Sequence, residues 1–212
     1  MNSYLKVLFE NDDTLDRLHS IAANLQNEIP KLSIRSLPSL HMTLFFGGEI
    51  LCNELSKDEL HYWHTQVQNC FAASHFCSPS SSAAQEIMPP DFWFHFARLR
   101  TFPPHRNNLI VAEFEASPAW HALYRDLQTI ARDSPGFQEL ATTQPWIPHI
   151  TLANLPRSTE STLNRLLEAA SNEFPKNETI AASGIGMGGP VPLQDELNWN
   201  FVYGGSGSSS IP

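Results

Sequence analysis

The chain has 212 residues, 42% of them apolar, and a formal charge of −9 from 13 basic and 22 acidic side chains. That length supports one domain or two small lobes around a real hydrophobic core, and the composition excludes a disordered chain. The acidic balance, with no basic run, argues against extended binding to nucleic acid, whose affinity comes from Lys and Arg displacing counterions. A small phosphate ligand, or the end of an oligonucleotide, needs only a local cationic pocket. The stretch MNSYLKVLFENDD is too short and too polar for a signal peptide's apolar core, and no segment reaches the apolar length of a membrane span. Three cysteines, Cys52, Cys70 and Cys77, suit a reducing compartment better than a disulfide framework. The expectation is a soluble cytoplasmic or nuclear protein, monomeric and without membrane contact.

In chain order, SYLKVLFE (3–10) reads as a short strand. The acidic residues after it suit a helix N-terminus. Leu15, Leu18, Ile21, Leu25 and Ile29 then recur at helical spacing until Pro30. PSLHMTLFFGG follows as a strand closed by Gly47 and Gly48. Ser56 and Glu59 have capping-box spacing, ahead of a helical stripe of Leu60, Trp63, Val67 and Phe71. SPSSSAAQ (78–85) reads as a Ser-rich loop. FWFHFARLRTF and NLIVAEFE read as two strands joined by PPHRN. Ser117 and Pro118 read as an N-cap and first helical residue, with Trp120, Leu123, Leu127 and Ile130 as the buried stripe. IPHITLANL is a second strand, and Leu163, Leu166, Leu167 and Phe174 outline another helix. ETIAASGIGMGG and LNWNFVY close the fold around GGPVP, and GGSGSSSIP has linker composition.

The order strand, helix, His-x-Thr strand, helix thus occurs twice. Helix start and histidine are 29 residues apart in the first half (12 to 41) and 31 in the second (118 to 149). This is a repeat of architecture rather than of sequence. It predicts an α/β fold of two pseudo-symmetric lobes, each a small antiparallel sheet with helices outside, facing across a central cleft. One bilobal domain over 1–204 is expected, its lobes formed by roughly 1–75 and 108–175 with exchanged strands, and 205–212 as a disordered tail.

Each half carries His-x-Thr-Leu: His41-Met42-Thr43-Leu44 and His149-Ile150-Thr151-Leu152. Composition alone predicts roughly 0.05 such strings in a chain of this make-up. In a strand, residues i and i+2 share a face, so each motif offers an imidazole beside a hydroxyl, with an apolar underside. Pro148 biases Ile147 to extended backbone just before the second histidine. Two such strands across a cleft suit phosphodiester chemistry without a metal. One neutral imidazole takes a proton, the other, protonated, gives one to the departing oxygen, and the threonines hold phosphate oxygens.

On HMTLFFGGE and WIPHITLANL, and on the flanking pattern over most of residues 3–203, the sequence resembles the two-histidine (2H) phosphoesterase superfamily, which includes the 2′-5′ RNA ligase-like cyclic phosphodiesterases. The resemblance implies two pseudo-symmetric α/β lobes. It also implies His41 and His149 as the catalytic pair, Thr43 and Thr151 as the phosphate-holding hydroxyls, and no cofactor. Several bacterial members carry an arginine soon after the second motif, where this chain has Asn154; the nearest arginine is Arg157.

Trp146 and Phe46 are candidates to stack on a base at the cleft edge. Arg157 is a candidate phosphate contact, and Arg35, Arg98 and Arg100 could add local positive charge. His61, His64, Cys70, His75 and Cys77 lack the paired spacing of a zinc site. GIGMGG runs into strand-like sequence rather than opening a helix, so it is no dinucleotide loop. The expected function is hydrolysis of a 2′,3′-cyclic nucleotide or a 2′,3′-cyclic phosphate RNA end. The alternatives are a non-catalytic nucleotide-binding or scaffold module on the same fold, and a structural domain with buried histidines.

Overall fold

The structure is a computed structural model that describes residues 2–9, 13–29, 31–75, 92–134, 136–156, 160–175 and 178–202. Pro30, the Ser-rich loop, Cys77, Arg157 and the Gly/Ser tail singled out in the sequence lie outside them. The elements are β1 (Ser3–Phe9), α1 (Asp13–Glu28), β2 (Ser33–Ile34), β3 (Thr43–Gly48), α2 (Ile50–Asn53), α3 (Lys57–His75), β4 (Trp93–Phe102), β5 (Leu109–Ala116), α4 (Pro118–Asp133), β6 (His149–Asn154), α5 (Glu160–Ser171), β7 (Thr179–Gly188) and β8 (Phe201–Val202).

The fold is mixed α/β. Eight strands form one sheet in the order β2-β6-β5-β4-β7-β1-β3, with β8 on β7, and each pairing among the described residues is antiparallel. The halves β1-α1-β3-α3-β4 and β5-α4-β6-α5-β7 each give up their last strand. β4 pairs β5 along its length, and β7 pairs β1 over most of its own. The first residues of β7, Thr179–Ala181, also pair β4, which joins the two halves.

Alternation explains which face is covered. Leu5 and Val7 of β1, Ile110, Ala112 and Phe114 of β5, and Ile150 and Leu152 of β6 are buried under helices. α3 and α4 pack side by side, while α1 lies on β2 and β6 next to α5, which covers β4. Trp63 of α3 sits between Phe45 of β3 and Phe137. Trp120 of α4 stacks on Phe94 of β4 at 5.1 Å between ring centroids. The opposite face of the sheet carries the polar positions of the same strands.

Sequence and structure differ at small elements. β2, α2 and two 3₁₀ turns are too short to show a period. Among the described residues, LNWNFVY contributes only the two paired residues of β8. Ser117 stands at the N-cap of α4 with proline after it, yet its hydroxyl makes no capping bond; its carbonyl takes the first turn's N–H groups from Trp120 and His121.

Candidate active site

The sheet bends so that the segment leading into β3 meets β6 at one antiparallel bridge, Met42 to Ile150. Both residues are fully buried. Across such a bridge residue 41 faces 151 and residue 43 faces 149, and these four side chains leave the opposite face from Met42 and Ile150. Each histidine therefore stands across from the other motif's threonine. His41 itself lies one residue before the bridge rather than inside β3, which starts at Thr43.

Neighbouring strands fix both segments. The Val7 amide donates to the Met42 carbonyl, and the Phe114 amide to the Pro148 carbonyl, each at 3.0 Å. Trp146 adds a tie between the halves, its Nε1–H donating to the Thr43 carbonyl at 2.9 Å. Expected as a stacking surface at the cleft edge, Trp146 is only 9% exposed, and its ring stacks on Tyr124 and contacts Phe94 and Trp120. Its place is that of a clamp holding the second motif's approach to the first motif's strand.

The imidazoles are held alike. His41 Nδ1 is 2.8 Å from the Ser39 carbonyl, and His149 Nδ1 is 2.8 Å from the Ile147 carbonyl. A carbonyl only accepts, so Nδ1 carries hydrogen in both rings, and in the neutral form Nε2 carries the lone pair. Each ring also lies against an aromatic one. Tyr4 stacks on His41 with centroids 4.3 Å apart and planes 16° from parallel, and Phe102 lies 4.6 Å from His149 at 34°. Tyr4 can occupy that place because it pairs across the strands with Gly188; a methyl group on Gly188 would overlap the tyrosine ring.

Charge differs between the two rings. Burial lowers the pKa of His41 below the ordinary imidazole value; the bond to Ser39 works the other way, while Lys6, Arg35 and His149 add to the lowering. Burial also lowers His149; the Ile147 bond opposes it, Arg100 reinforces it, and Glu113 favours the charged ring. Lys6 is the cross-strand partner of Thr43, and Glu113 that of His149. The Glu113 carboxylate accepts a bond from Arg98 Nε at 2.8 Å. Arg100 Nε is also 2.8 Å from it, in ion-pair contact but off a hydrogen-bond line, with its guanidinium over the Phe102 ring.

A groove of about 520 Å³ opens beside the motifs, lined by Thr43, His149, Phe46, Phe102 and Ile147 among others. Phe46 is 55% exposed and Ile147 37%, so the groove presents two uncovered apolar side chains next to polar ones. Of the residues expected at the site, His41, Thr43, His149 and Thr151 come together on one face, Phe46 borders them, and Arg35 and Arg100 act on the histidines. Sequence reading missed Tyr4, Lys6, Phe102 and Glu113. Tyr4, Lys6 and Glu113 lie on the strands that flank the motifs and Phe102 on β4, one strand further from β6, and the signal on β1 is alternation: Tyr4 and Lys6 occupy the positions between buried Ser3, Leu5 and Val7.

Two of the zinc-like residues have other partners. His64 Nε2 is 2.8 Å from the Asn198 carbonyl, and His61 lies 3.6 Å from Glu196. Among the described residues no helix is long and apolar enough to cross a membrane.

The family model described as the 2′-5′ RNA ligase superfamily matches residues 35–182, a span that includes both motifs. The chain belongs to that superfamily. No curated protein is similar enough to count as a relative. Among solved structures, the chain is similar to a protein described as a phosphoesterase, at 13% identity and TM-score 0.51, covering 88% of this chain and 86% of that one. It is similar to E. coli LigT in complex with 3′-AMP, at 14% identity and TM-score 0.50, over 90% of each chain. The E. coli LigT complex with NADP+ gives 13% identity and TM-score 0.50, over 95% of this chain and 97% of the other. At these identities the likeness is one of fold, and this superfamily member shares it over nearly its whole described length.

Proposed function

We propose that the chain is a phosphodiesterase that opens a 2′,3′-cyclic phosphate on a nucleotide or an RNA end, with His41 as general base and His149 as general acid. The observation that carries the reading is the matched pair of Nδ1–H bonds, which leaves Nε2 of both rings as the proton-handling atom. His41 has cations for neighbours, which favour its neutral, basic form. His149 differs in having a carboxylate neighbour, Glu113 across the strand pair, which works against the lowering by burial and Arg100 and makes this ring the better placed of the two to carry the proton.

In the proposed step, neutral His41 Nε2 takes a proton from water as the water oxygen attacks phosphorus. The bond from phosphorus to one ribose oxygen breaks, and His149 Nε2–H gives that oxygen its proton. The product is a nucleoside monophosphate, and proton exchange with solvent restores both rings. Thr43 and Thr151 donate to the non-bridging oxygens, and Lys6 and Arg100 add positive charge where the phosphate becomes more negative. Phe46 supplies a face for the base. An acid/base pair of this kind draws on no metal. The fold shared with LigT, which is solved with 3′-AMP, is consistent with a nucleotide ligand.

Turnover of a panel of 2′,3′-cyclic nucleotides in EDTA tests this reading, with Thr43→Val and Thr151→Val beside the wild type. The expected result is chelator-resistant release of a monophosphate, slowed roughly 10-fold to 100-fold by either substitution. Binding of the nucleotides without any turnover would make the chain a binding module instead.

A further inference from the structure

We infer that the substrate is the end of an RNA strand rather than a free cyclic nucleotide, and that a second groove along α4 holds the phosphates preceding that end. This rests on the reading of the motif face as a site for a terminal phosphodiester. The groove beside the histidines adjoins another of about 540 Å³. The two share Tyr124 and Gln128 of α4 and Thr142, Gln144, Pro145 and Trp146 of the segment after it, so that segment is a divide between them.

Beyond the divide, α4 contributes Arg125 and Arg132, and the facing segment contributes the Thr142 and Thr143 hydroxyls. Arg125 and Arg132 are seven residues apart, two helical turns, so they stand on one side of α4 about 10 Å apart. Some cations of the molecule are neutralised: Arg17 by Glu178, Lys57 by Glu196, and Arg98 and Arg100 by Glu113. No such pairing involves Arg125 or Arg132 among the described residues, and no carboxylate lines their groove. In a chain of net charge −9, a carboxylate-free groove with two unpaired guanidiniums and hydroxyls, joined to a phosphate-handling site, is complementary to a short polyanion. The divide itself is held rigid, since the Thr142 amide donates to Gln128 Oε1 at 2.6 Å and the Tyr124 hydroxyl to the Gln144 carbonyl. One carboxylate, Glu139, lines the groove on the histidine side. It sets a limit on how much negative charge can cross there, so only a few phosphates are engaged, in keeping with the acidic surface.

The test is fluorescence anisotropy of a labelled RNA decamer ending in a 3′-phosphate. It is set against a 3′-mononucleotide competitor and a phosphopeptide of equal charge, for wild type, Arg125→Ser/Arg132→Ser, and Arg165→Ser as a control on α5. The wild type is expected to bind the decamer at least tenfold more tightly than the mononucleotide or the phosphopeptide. The double variant is expected to lose about tenfold and to flatten the slope of log K against log salt by about 1.4, for two phosphates on a single strand. The control variant should leave both unchanged. Equal affinity for decamer and mononucleotide, a double variant that binds like wild type, or a phosphopeptide that binds as well as RNA would each overturn the inference. Turnover of cyclic mononucleotides alongside any of these would leave the proposed chemistry standing. Arginine-dependent decamer binding without turnover of any cyclic phosphate would sink the proposed chemistry and keep the groove.

Discussion

Two imidazoles held by the same backbone bond differ in their charged neighbours, and that difference makes specific claims about single residues. Replacing Glu113 with Gln removes the carboxylate that favours protonated His149 and leaves Arg100, which disfavours it, without its counter-ion. The His149 pKa should fall, so the alkaline limb of kcat/KM should move to lower pH while the acidic limb stays. A pH–rate profile in which the acidic limb moves instead would assign the roles the other way round. Gly188→Ala pushes Tyr4 off the His41 ring. It should lower kcat several-fold with little change in KM, and Tyr4→Leu should do the same. The His-x-Thr residues were legible because the strand period puts i and i+2 on one face. Tyr4, Lys6 and Glu113 were not, because they reach the site through strand register, which one sequence does not print.

At the level of elements, the ends and ties of the strands and helices hold the site together. The capping box ahead of α3 forms as the spacing predicted: the Ser56 amide donates to Glu59 Oε2 at 2.8 Å and the Glu59 amide to Ser56 Oγ at 3.3 Å. Ser56→Ala should therefore cost about 1 kcal/mol of stability in a denaturant titration, with activity kept. Trp146→Phe keeps most of the aromatic packing but removes the donor to the Thr43 carbonyl. It should also cost about 1 kcal/mol and, unlike the cap variant, should reduce kcat, because it loosens the tie between the motif segments. Long periodic elements such as α1, α4 and β5 could be read directly. β2, α2 and β8, of two to four residues, form because neighbours dock them, and no local pattern announces that.

For the molecule as a whole, the exchange of β4 and β7 between halves brings the motifs to one bridge and buries their undersides. The repeat made two matching halves legible; the bridge between Met42 and Ile150 needed the structure, since it joins segments more than 100 residues apart. Burying two histidines also links stability to pH. Their folded pKa values lie below the unfolded value of roughly 6.5, so below that pH the unfolded chain holds more protons than the native one. Stability should be level above about pH 7.5 and fall as pH drops through 6.5 towards 5. Melting temperatures across that range should fall less for His41→Asn/His149→Asn. The central claim is that these two histidines divide the acid and base roles, and the pH dependence of kcat/KM for cyclic phosphate hydrolysis tests it most directly, with wild type beside His41→Ala and His149→Ala. Wild type should give a bell, and each variant should lose about 10²–10⁴. The residual rate should lack the acidic limb without His41 and the alkaline limb without His149. Variants that keep the full bell, or lose less than about tenfold while staying folded, would contradict it.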